Sequence, residues 1–341
     1  MVMNYNEVLE NARGNIGPYC KACPVCNGIA CSDKMPGPGA KGSGRGAVNN
    51  FNAWDRIRVN LDTLVDNGPV STEYELFGHK FACPVFAGPV GAVNLHYGEQ
   101  YNDEQYNDIL VNACAANGIA AFTGDGVDYN VMVQATKAIA SAGGIGIPTV
   151  KPWNLDIIKD KMKLVKESGC FAVAMDVDAA GLAFIKNLDP PAGTKGVEEL
   201  RAVINLTDKP FIVKGVMTVK GALKAAEAGA KAILVSNHGG RVLDGCMATA
   251  DVLPGIADAV KGSGMKVMVD GGIRSGVDVF KALAAGADSV VIARPFVVSV
   301  YGGAGEGVKA YINKISEELS DTMKMCGAHN LSEITRDMIT I

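Results

Sequence analysis

Short apolar runs alternate with amphipathic stretches from about residue 84 to the end of the chain. Eight runs have the length and continuous apolar character of strands buried on both faces: residues 85–88, 119–122, 144–147, 171–177, 211–214, 232–236, 266–270 and 289–293. Helical stretches lie between them, and those at 219–228 and 277–285 end at Gly229 and Gly286, which are helix stop signals. Eight strand–helix units in roughly 250 residues predict an α/β fold, a (β/α)8 TIM barrel. An open doubly wound sheet is disfavoured, because no Gly-x-Gly-x-x-Gly turn follows the first strand.

The first 80 residues follow a different pattern. Residues 36–46 are rich in glycine and proline and predict a loop, whereas residues 50–64 look helical, with Trp54, Ile57 and Leu61 on one face. We expect residues 1–80 to form a cysteine-containing cap segment on a barrel of residues 81–341. Near the other end, residues 307–326 predict an amphipathic helix, with a short helix after Asn330.

Composition limits the possible partners of the chain. Its 341 residues are 48% hydrophobic and 20% charged, and the net charge of −4 gives no reason to expect nucleic acid or an anionic membrane as partner. No apolar run reaches the roughly 18 residues of a transmembrane helix. The first seven residues lack the basic start and apolar core of a secretory signal, so a cytoplasmic location is expected.

Polar side chains stand at the ends of the last four predicted strands. Because the carboxyl ends of barrel strands face one mouth, these side chains are expected to meet there. In chain order they are Lys214 on the fifth strand, His238 and Arg241 after the sixth, Asp270 and Arg274 after the seventh, and Arg294 after the eighth. A base and a fixed cation on one glycine-containing turn suit a substrate with an abstractable proton and an anionic group. A structural role for the histidine is the alternative.

The ends of the seventh and eighth strands predict a phosphate site. Gly271 and Gly272 expose backbone N–H groups, Arg274 adds a guanidinium, and Ala293-Arg294 repeats the arrangement one strand later. The alternative is a tight turn with two solvated arginines. Lys214 on a buried strand end would need an anion beside it, and a reduced flavin ring is such an anion, although a lysine that reaches solvent is also open.

Nine cysteines are unevenly spaced along the chain. The spacing Cys-x2-Cys-x2-Cys-x4-Cys of Cys20, Cys23, Cys26 and Cys31 suits zinc or an iron–sulfur cluster, with redox-active or incidental cysteines as the alternative. The other five are expected to be buried small hydrophobes: Cys83, Cys114, Cys170, Cys246 and Cys326.

Long motifs between residues 211 and 296 carry a family resemblance. They are Val213-Lys214-Gly215, Ser236-Asn237-His238-Gly239-Gly240-Arg241 with Leu243-Asp244-Gly245, the run from Asp270-Gly271-Gly272-Ile273-Arg274 to Leu283, and Arg294-Pro295. This stretch resembles the FMN-dependent α-hydroxy-acid oxidase and dehydrogenase family, which includes glycolate oxidase, lactate oxidase and the flavin domain of flavocytochrome b2. A weaker likeness extends back to Pro84 and forward to residues 333–337.

The resemblance implies a set of roles. Lys214 would lie at flavin N1 and the C2 carbonyl, His238 would take a substrate proton, Arg241 would bind the substrate carboxylate, and Asp178 would orient the histidine. The implied FMN site consists of Gly88, Pro89, Thr123, Lys214, Ser236, Asp270, Gly271, Gly272, Arg274, Ala293 and Arg294. The implied reaction is oxidation of a 2-hydroxy acid to a 2-oxo acid by hydride transfer to FMN, in a homo-oligomer that is often a tetramer.

The chain also departs from the family pattern. Its third strand ends in Ile147-Pro148-Thr149 where the family has Gln-Leu-Tyr, and residues 179–184 lack the family's second carboxylate-binding arginine. The cysteine cluster and the glycine-rich loop replace the N-terminal tyrosine region.

The sequence therefore does not identify the substrate, and it leaves two candidate electron acceptors, oxygen and a redox protein. An iron–sulfur cluster near the flavin would pass electrons singly to a protein. The alternatives are an enzyme like type 2 isopentenyl-diphosphate isomerase, with which Ile292-Ala293-Arg294-Pro295-Phe296 shows likeness, or a non-catalytic flavin and metal electron-transfer protein.

Overall fold

The computed structural model describes residues 3–182, 185 and 192–341 and confirms the predicted (β/α)8 barrel. Eight parallel strands close in sequence order, with the last strand paired to the first. The barrel strands are β4 (Val85–Ala87), β5 (Ala121–Thr123), β6 (Gly146–Val150), β7 (Val173–Asp176), β8 (Phe211–Val216), β9 (Ala232–Val235), β10 (Lys266–Val269) and β11 (Ser289–Ile292). Short strands lie outside the barrel: β1 (Arg58–Val59), β2 (Tyr74–Leu76), β3 (His79–Phe81) and β12 (Ile339–Thr340).

Eleven α-helices are seen in the described residues. They are α1 (Tyr5–Asn15), α2 (Arg45–Arg56), α3 (Val93–Tyr97), α4 (Asp103–Ala116), α5 (Tyr129–Ser141), α6 (Leu155–Glu167), α7 (Val197–Ile204), α8 (Val219–Ala228), α9 (Thr249–Val260), α10 (Gly276–Ala284) and α11 (Arg294–Met325). The helix predicted at 219–228 is confirmed, and the one predicted at 307–326 is the second part of α11, which is interrupted at Gly303 and Ala304. After Asn330 the short helix is a 3-10 turn, Leu331–Glu333.

The helix predicted at residues 50–64 is wrong at both ends. Helix α2 begins after Gly44, whose left-handed backbone (φ +73°) sets the chain direction. It ends at Arg56 because the following residues enter β1, which pairs antiparallel with β12. Of the three residues expected on one face, Trp54 and Ile57 are buried, whereas Leu61 is 69% exposed.

A hairpin closes the amino-terminal end of the barrel. Strands β2 and β3 pair antiparallel just before β4, and Leu76 and Phe81 pack into an apolar cluster inside the barrel. Phe81 meets Phe86 edge-on with ring centroids 5.1 Å apart. With this end filled by side chains, the carboxyl end of the strands remains for a site.

The N-terminal segment is fixed to the barrel by polar contacts from α2. The side-chain amides of Asn50 and Asn237 donate to each other at 2.7 and 2.9 Å, and Asn50 is 1% exposed. Trp54 Nε1 donates to the Gly271 carbonyl at 2.8 Å. Helix α2 thus holds the two turns that follow β9 and β10. The division of the chain at residue 80 stays a prediction.

No helix among the described residues combines the length and apolar character needed to cross a bilayer. Four of the five scattered cysteines are buried as expected (Cys83, Cys114, Cys170 and Cys326). The expectation is wrong for Cys246, which is half-buried because it lies on the irregular segment between β9 and α9.

Candidate active site

A cavity of about 340 Å³ lies at the carboxyl ends of the barrel strands. The structure brings most of the predicted site residues to its wall: Pro89, Lys214, His238, Arg241, Asp270, Gly271, Gly272, Arg274, Ala293 and Arg294. Four other residues predicted for catalysis or FMN binding lie buried or half-buried outside that lining set: Gly88, Thr123, Asp178 and Ser236. The four cysteines predicted as metal ligands, Cys20, Cys23, Cys26 and Cys31, also lie outside it, and they are half-buried and form no disulfide. Ser236 Oγ donates to Asp270 Oδ2 at 2.9 Å and accepts from the backbone N–H of His238 at 3.1 Å, so it links two strand ends.

His238 and Asp178 form a pair across the mouth of the barrel. Asp178 lies in the 3-10 turn after β7 and His238 in the turn after β9, with Nδ1 and Oδ1 3.2 Å apart. Burial opposes ionisation of Asp178, but Lys214 and His238 outweigh it and lower its pKa to about 2. Burial and the charge of Lys214 lower the pKa of His238 to about 3. An ionised carboxylate only accepts, so Nδ1 carries the proton and Nε2 keeps a free lone pair.

Lys214 is a buried cation whose hydrogen-bonding capacity is unused. Its side chain leaves β8 with Nζ 3.8 Å from Asp178 Oδ1 and 4.0 Å from Asp270 Oδ2, and the residue is 2% exposed. Within the described structure Nζ has no hydrogen-bond partner. Burial disfavours its charge, but the carboxylates of Asp178 and Asp270 outweigh burial and raise its pKa. It is therefore a fixed positive charge with donors available to a ligand.

The turns after β10 and β11 form a cationic, glycine-lined end of the cavity. Gly271 and Gly272 have φ of +89° and +88°, and a Cβ at Gly272 would clash with the Asn50 backbone, so this turn depends on glycine. Arg274 Nε donates to the Cys26 carbonyl at 2.8 Å, and Arg294 donates from Nε and Nη2 to the Pro38 carbonyl at 2.9 and 2.6 Å. Carbonyls of the N-terminal segment thus position both guanidiniums.

Arg241 and His96 are positioned by the glycine-rich loop. Arg241 Nη1 donates to the carbonyls of Gly37 and Gly39, the second at 3.2 Å. His96, which sequence reasoning missed, accepts the Gly37 N–H on Nδ1 at 3.0 Å, so its proton is on Nε2. Burial and the charge of Arg241 lower the pKa of His96 to about 4, which makes it a neutral donor in the cavity wall.

Sequence reasoning also missed a buried ion pair in this wall. Lys151, just after β6, places Nζ 3.1 Å from Asp176 Oδ2 at the end of β7, and both side chains are buried. Burial raises the pKa of Asp176 to about 6 in spite of Lys151 and Lys214. Behind the pair, Asp125 accepts from the Lys151 N–H at 3.0 Å, from Trp153 Nε1 at 2.6 Å and from Lys161 Nζ at 2.6 Å.

Asp176, Asp178 and His238 converge with ligand-type atoms within 4.8 Å of one another. Carboxylates at the end of β7 and in the turn after it therefore lie beside His238, in addition to Lys214 from β8. Of the segment after β7 in which the family carries its second arginine, residues 183 and 184 lie outside the described part of the chain.

The fold and this site define an FMN-dependent oxidoreductase. The chain belongs to the FMN-dependent dehydrogenase family, which matches residues 38–189 and 183–341. It is an oxidoreductase that acts on a CH–OH group.

Two curated relatives and a solved structure illustrate the similarity. The chain is 29% identical to 4-hydroxymandelate oxidase of Amycolatopsis orientalis over 90% of this chain and 95% of the relative. It is 31% identical to a peroxisomal (S)-2-hydroxyacid oxidase of Arabidopsis thaliana over 85% and 86% of the two chains. A crystal structure of mandelate oxidase superposes with a TM-score of 0.80 at 27% identity, covering 100% of this chain and 98% of that one. These relatives do not favour the isomerase or the non-catalytic alternative.

Proposed function

We propose that His238 is the base that removes the hydroxyl proton of a 2-hydroxy acid while Arg241 binds its carboxylate. The hydrogen bond from His238 Nδ1 to the ionised Asp178 carries the proposal, because it leaves the Nε2 lone pair free. Arg241 lines the same cavity and supplies the fixed cation that a carboxylate needs. Once His238 is protonated, Asp178 stabilises the imidazolium, as the carboxylate of a catalytic triad does.

The chain's own residues fit FMN. Buried polar atoms without a partner in the described structure include Lys214 Nζ, Asp270 Oδ1 and Thr123 Oγ1, as a site built around a polar ligand requires. Gly88 packs so closely on Ala293 that a Cβ there would lie 2.9 Å from the alanine Cβ.

In the proposed site, the flavin ring of FMN would be held by Gly88, Pro89, Thr123, Lys214 and Ser236. Its ribityl phosphate would be held by Asp270, Gly271, Gly272, Arg274, Ala293 and Arg294. Bound FMN supplies the acceptor for the hydride that leaves the α-carbon. Lys214 would then face the negative charge of the reduced ring, a role that suits a cation held between carboxylates.

Anaerobic mixing with glycolate, lactate and mandelate tests the proposal. We expect at least one of these acids to bleach the flavin absorbance within a single turnover and to yield the matching 2-oxo acid. Isopentenyl diphosphate is the comparison ligand. If no hydroxy acid reduces the flavin while isopentenyl diphosphate is isomerised, the proposal is wrong.

The lowered pKa of His238 predicts an unusual pH profile. A histidine base is active when deprotonated, so its activity is lost only as pH falls through its pKa. Since burial and Lys214 lower that pKa to about 3, titration of His238 should leave kcat/KM unchanged from about pH 5 to pH 8. Asp176, whose pKa is about 6, titrates in this range, so steady-state assays with ferricyanide as acceptor compare the wild type with Asp176→Asn. An acid limb centred near the ordinary histidine pKa of about 6.5 in both proteins would contradict the prediction.

Substitution of Lys151 with Met should destabilise the protein in a pH-dependent way. The change leaves Asp176 buried without its cation. When the carboxylate is charged, this should lower the free energy of unfolding by about 3–5 kcal/mol. Without Lys151 the folded-state pKa of Asp176 lies further above its unfolded value, so stability is present at low pH and lost as pH rises.

Urea unfolding at pH 5 and pH 8 should therefore show the larger loss at pH 8. Lys159→Met is the matched control, because Lys159 pairs with Asp156 at the exposed surface of α6. Equal losses for Lys151→Met at the two pH values would show that Asp176 does not take up the proton.

We also propose that the protein is cytoplasmic and a homo-oligomer. The resemblance to the family supports an oligomer, and so do Val219 and Leu223, which are 41% and 50% exposed one turn apart on α8. Light scattering after gel filtration gives the number of subunits.

A further inference from the structure

Lys151 lines the cavity but has no role in the site proposed so far. It is the first residue after β6, and its buried side chain places Nζ 3.1 Å from Asp176 Oδ2. A lysine ammonium carries three donors. Among the described residues, Asp176 is the one hydrogen-bond partner of Nζ. The two other donors of Lys151 are therefore available to a ligand in the cavity.

The surrounding structure fixes the backbone of Lys151. Its N–H donates to Asp125 Oδ2 at 3.0 Å, and its carbonyl accepts from the Trp153 N–H at 2.8 Å. A second buried ion pair, between Lys161 and Asp125, thus lies directly behind Lys151. Buried ion pairs contribute little to stability, since apolar replacements are often neutral or stabilising. Fixed charges in the wall of a cavity are instead typical of a site that binds a charged ligand.

Other buried polar atoms beside Lys151 have no partner. Thr149 precedes Lys151 by two residues, so strand alternation directs both side chains to the same face, and both line the cavity. Thr149 Oγ1 and Asp176 Oδ1 lack a hydrogen-bond partner in the described structure, although the two residues are only 1% and 3% exposed. Buried polar atoms are normally paired, so these atoms indicate that a polar ligand binds on this side of the cavity.

This polar group lies next to the proposed base. A carboxylate oxygen of Asp176 lies within 4.8 Å of a ring nitrogen of His238, and Asp176 in turn binds Lys151. Arg241 reaches the same cavity from the turn after β9, three strands away from β6 in the barrel. Burial and the charge of Arg241 lower the pKa of His96, and the charge of Lys151 adds to this effect. A small anion bound beside His238 would therefore meet two cations from different parts of the barrel mouth.

We propose that Lys151 is a second cation that binds the carboxylate of the 2-hydroxy acid, together with Arg241. The proposal rests on the proposed function, because it adds a residue that positions the same substrate. One Nζ donor stays on Asp176, and the two others face the substrate carboxylate. Because Asp176 is negative when ionised, it opposes the approach of another carboxylate. The two members of the ion pair therefore have opposite effects on substrate binding.

Binding of 2-oxo acids to the oxidised holoenzyme separates this role from a structural one. Glyoxylate, pyruvate and phenylglyoxylate are the probes, and titration calorimetry gives their dissociation constants without turnover. Lys151→Met loses a hydrogen bond to a charged group, so it should raise the dissociation constant about 10–100-fold. Asp176→Asn should bind the acids at least as tightly as the wild type, because it removes a negative charge and keeps an acceptor for Lys151. A purely structural ion pair would weaken binding in both variants.

A double variant guards against a folding defect. Lys151→Met leaves Asp176 buried without its cation, whereas Lys151→Met/Asp176→Asn removes both charges and should fold. The double variant should still bind the acids about 10–100-fold more weakly than the wild type. FMN content should be equal in all variants. Lys159→Met, which changes an exposed pair on α6, is the control and should bind the acids as the wild type does.

Four outcomes would overturn the role of Lys151. They are acid binding by the double variant within about threefold of the wild type, equal losses in Lys151→Met and Asp176→Asn, loss of FMN from the double variant, or no acid binding by the wild type. Flavin reduction by hydroxy acids is measured on the same wild-type sample. If the flavin is reduced while one of these outcomes holds, only the role of Lys151 is wrong. If no hydroxy acid reduces the flavin, the proposed function itself fails.

Discussion

Replacement of His238 with Gln is expected to slow flavin reduction by a 2-hydroxy acid about 10²–10⁴-fold. Glutamine keeps a donor near Asp178 but has no basic lone pair at the position of Nε2. In the wild type, Asp178 orients the His238 imidazole through a hydrogen bond of 3.2 Å. In the variant, Asp178 remains but no side chain at position 238 can accept the substrate proton. Stopped-flow absorbance under anaerobic conditions measures the rate.

His329→Gln is the control for this substitution. His329 lies away from the cavity and bonds the Asp66 carbonyl at 3.0 Å, so the rate of its variant should match that of the wild type. FMN content should be equal in both variants. A His238→Gln enzyme that reduces its flavin within threefold of the wild-type rate would remove the histidine from the proposed role.

Replacement of Lys214 with Met is expected to lower the flavin reduction rate by about 10²–10³-fold and to make the midpoint potential of bound FMN more negative. Lys214 is the cation between Asp178 and Asp270, at 3.8 and 4.0 Å. Without it the reduced ring loses its neighbouring positive charge. The variant also removes the charge of Lys214, which is the largest cause that lowers the pKa of Asp178.

Dye-equilibration titration gives the potential, and FMN fluorescence gives the dissociation constant. Lys266→Met is the control, because Lys266 starts β10 and pairs with Asp288 at a partly exposed position. Thermal unfolding of both variants separates a flavin effect from a folding defect. An unchanged potential in folded, FMN-loaded Lys214→Met protein would contradict the role of Lys214.

The barrel was predictable because its strands are buried on both faces and are read as continuous apolar runs. The strand predicted at 144–147 lies instead at Gly146–Val150, since Pro148 and Thr149 interrupt the apolar pattern inside it. That shift hid Lys151, which follows the true strand end. A lysine at the carboxyl end of a barrel strand was a usable signal, once the strand had been placed correctly.

Other features of the site depend on contacts that are distant in sequence. His238 and Arg241 were evident from one motif, but Gly37 and Gly39, which hold Arg241, are about 200 residues away. His96 has no local pattern that marks it as a wall residue. Helix α2 was misplaced because its end is set by pairing of β1 with β12, a contact between the two ends of the chain.

The mutual amide contact between Asn50 and Asn237 joins positions 187 residues apart, and the Trp54–Gly271 contact spans 217. During synthesis, helix α2 leaves the ribosome early, while the turns that it holds emerge only after most of the chain. The wall of the cavity is thus completed late, and closing such long loops makes folding slow. We therefore expect FMN to bind only at the end of folding. The change in FMN fluorescence on binding would then measure how fast the folded enzyme forms.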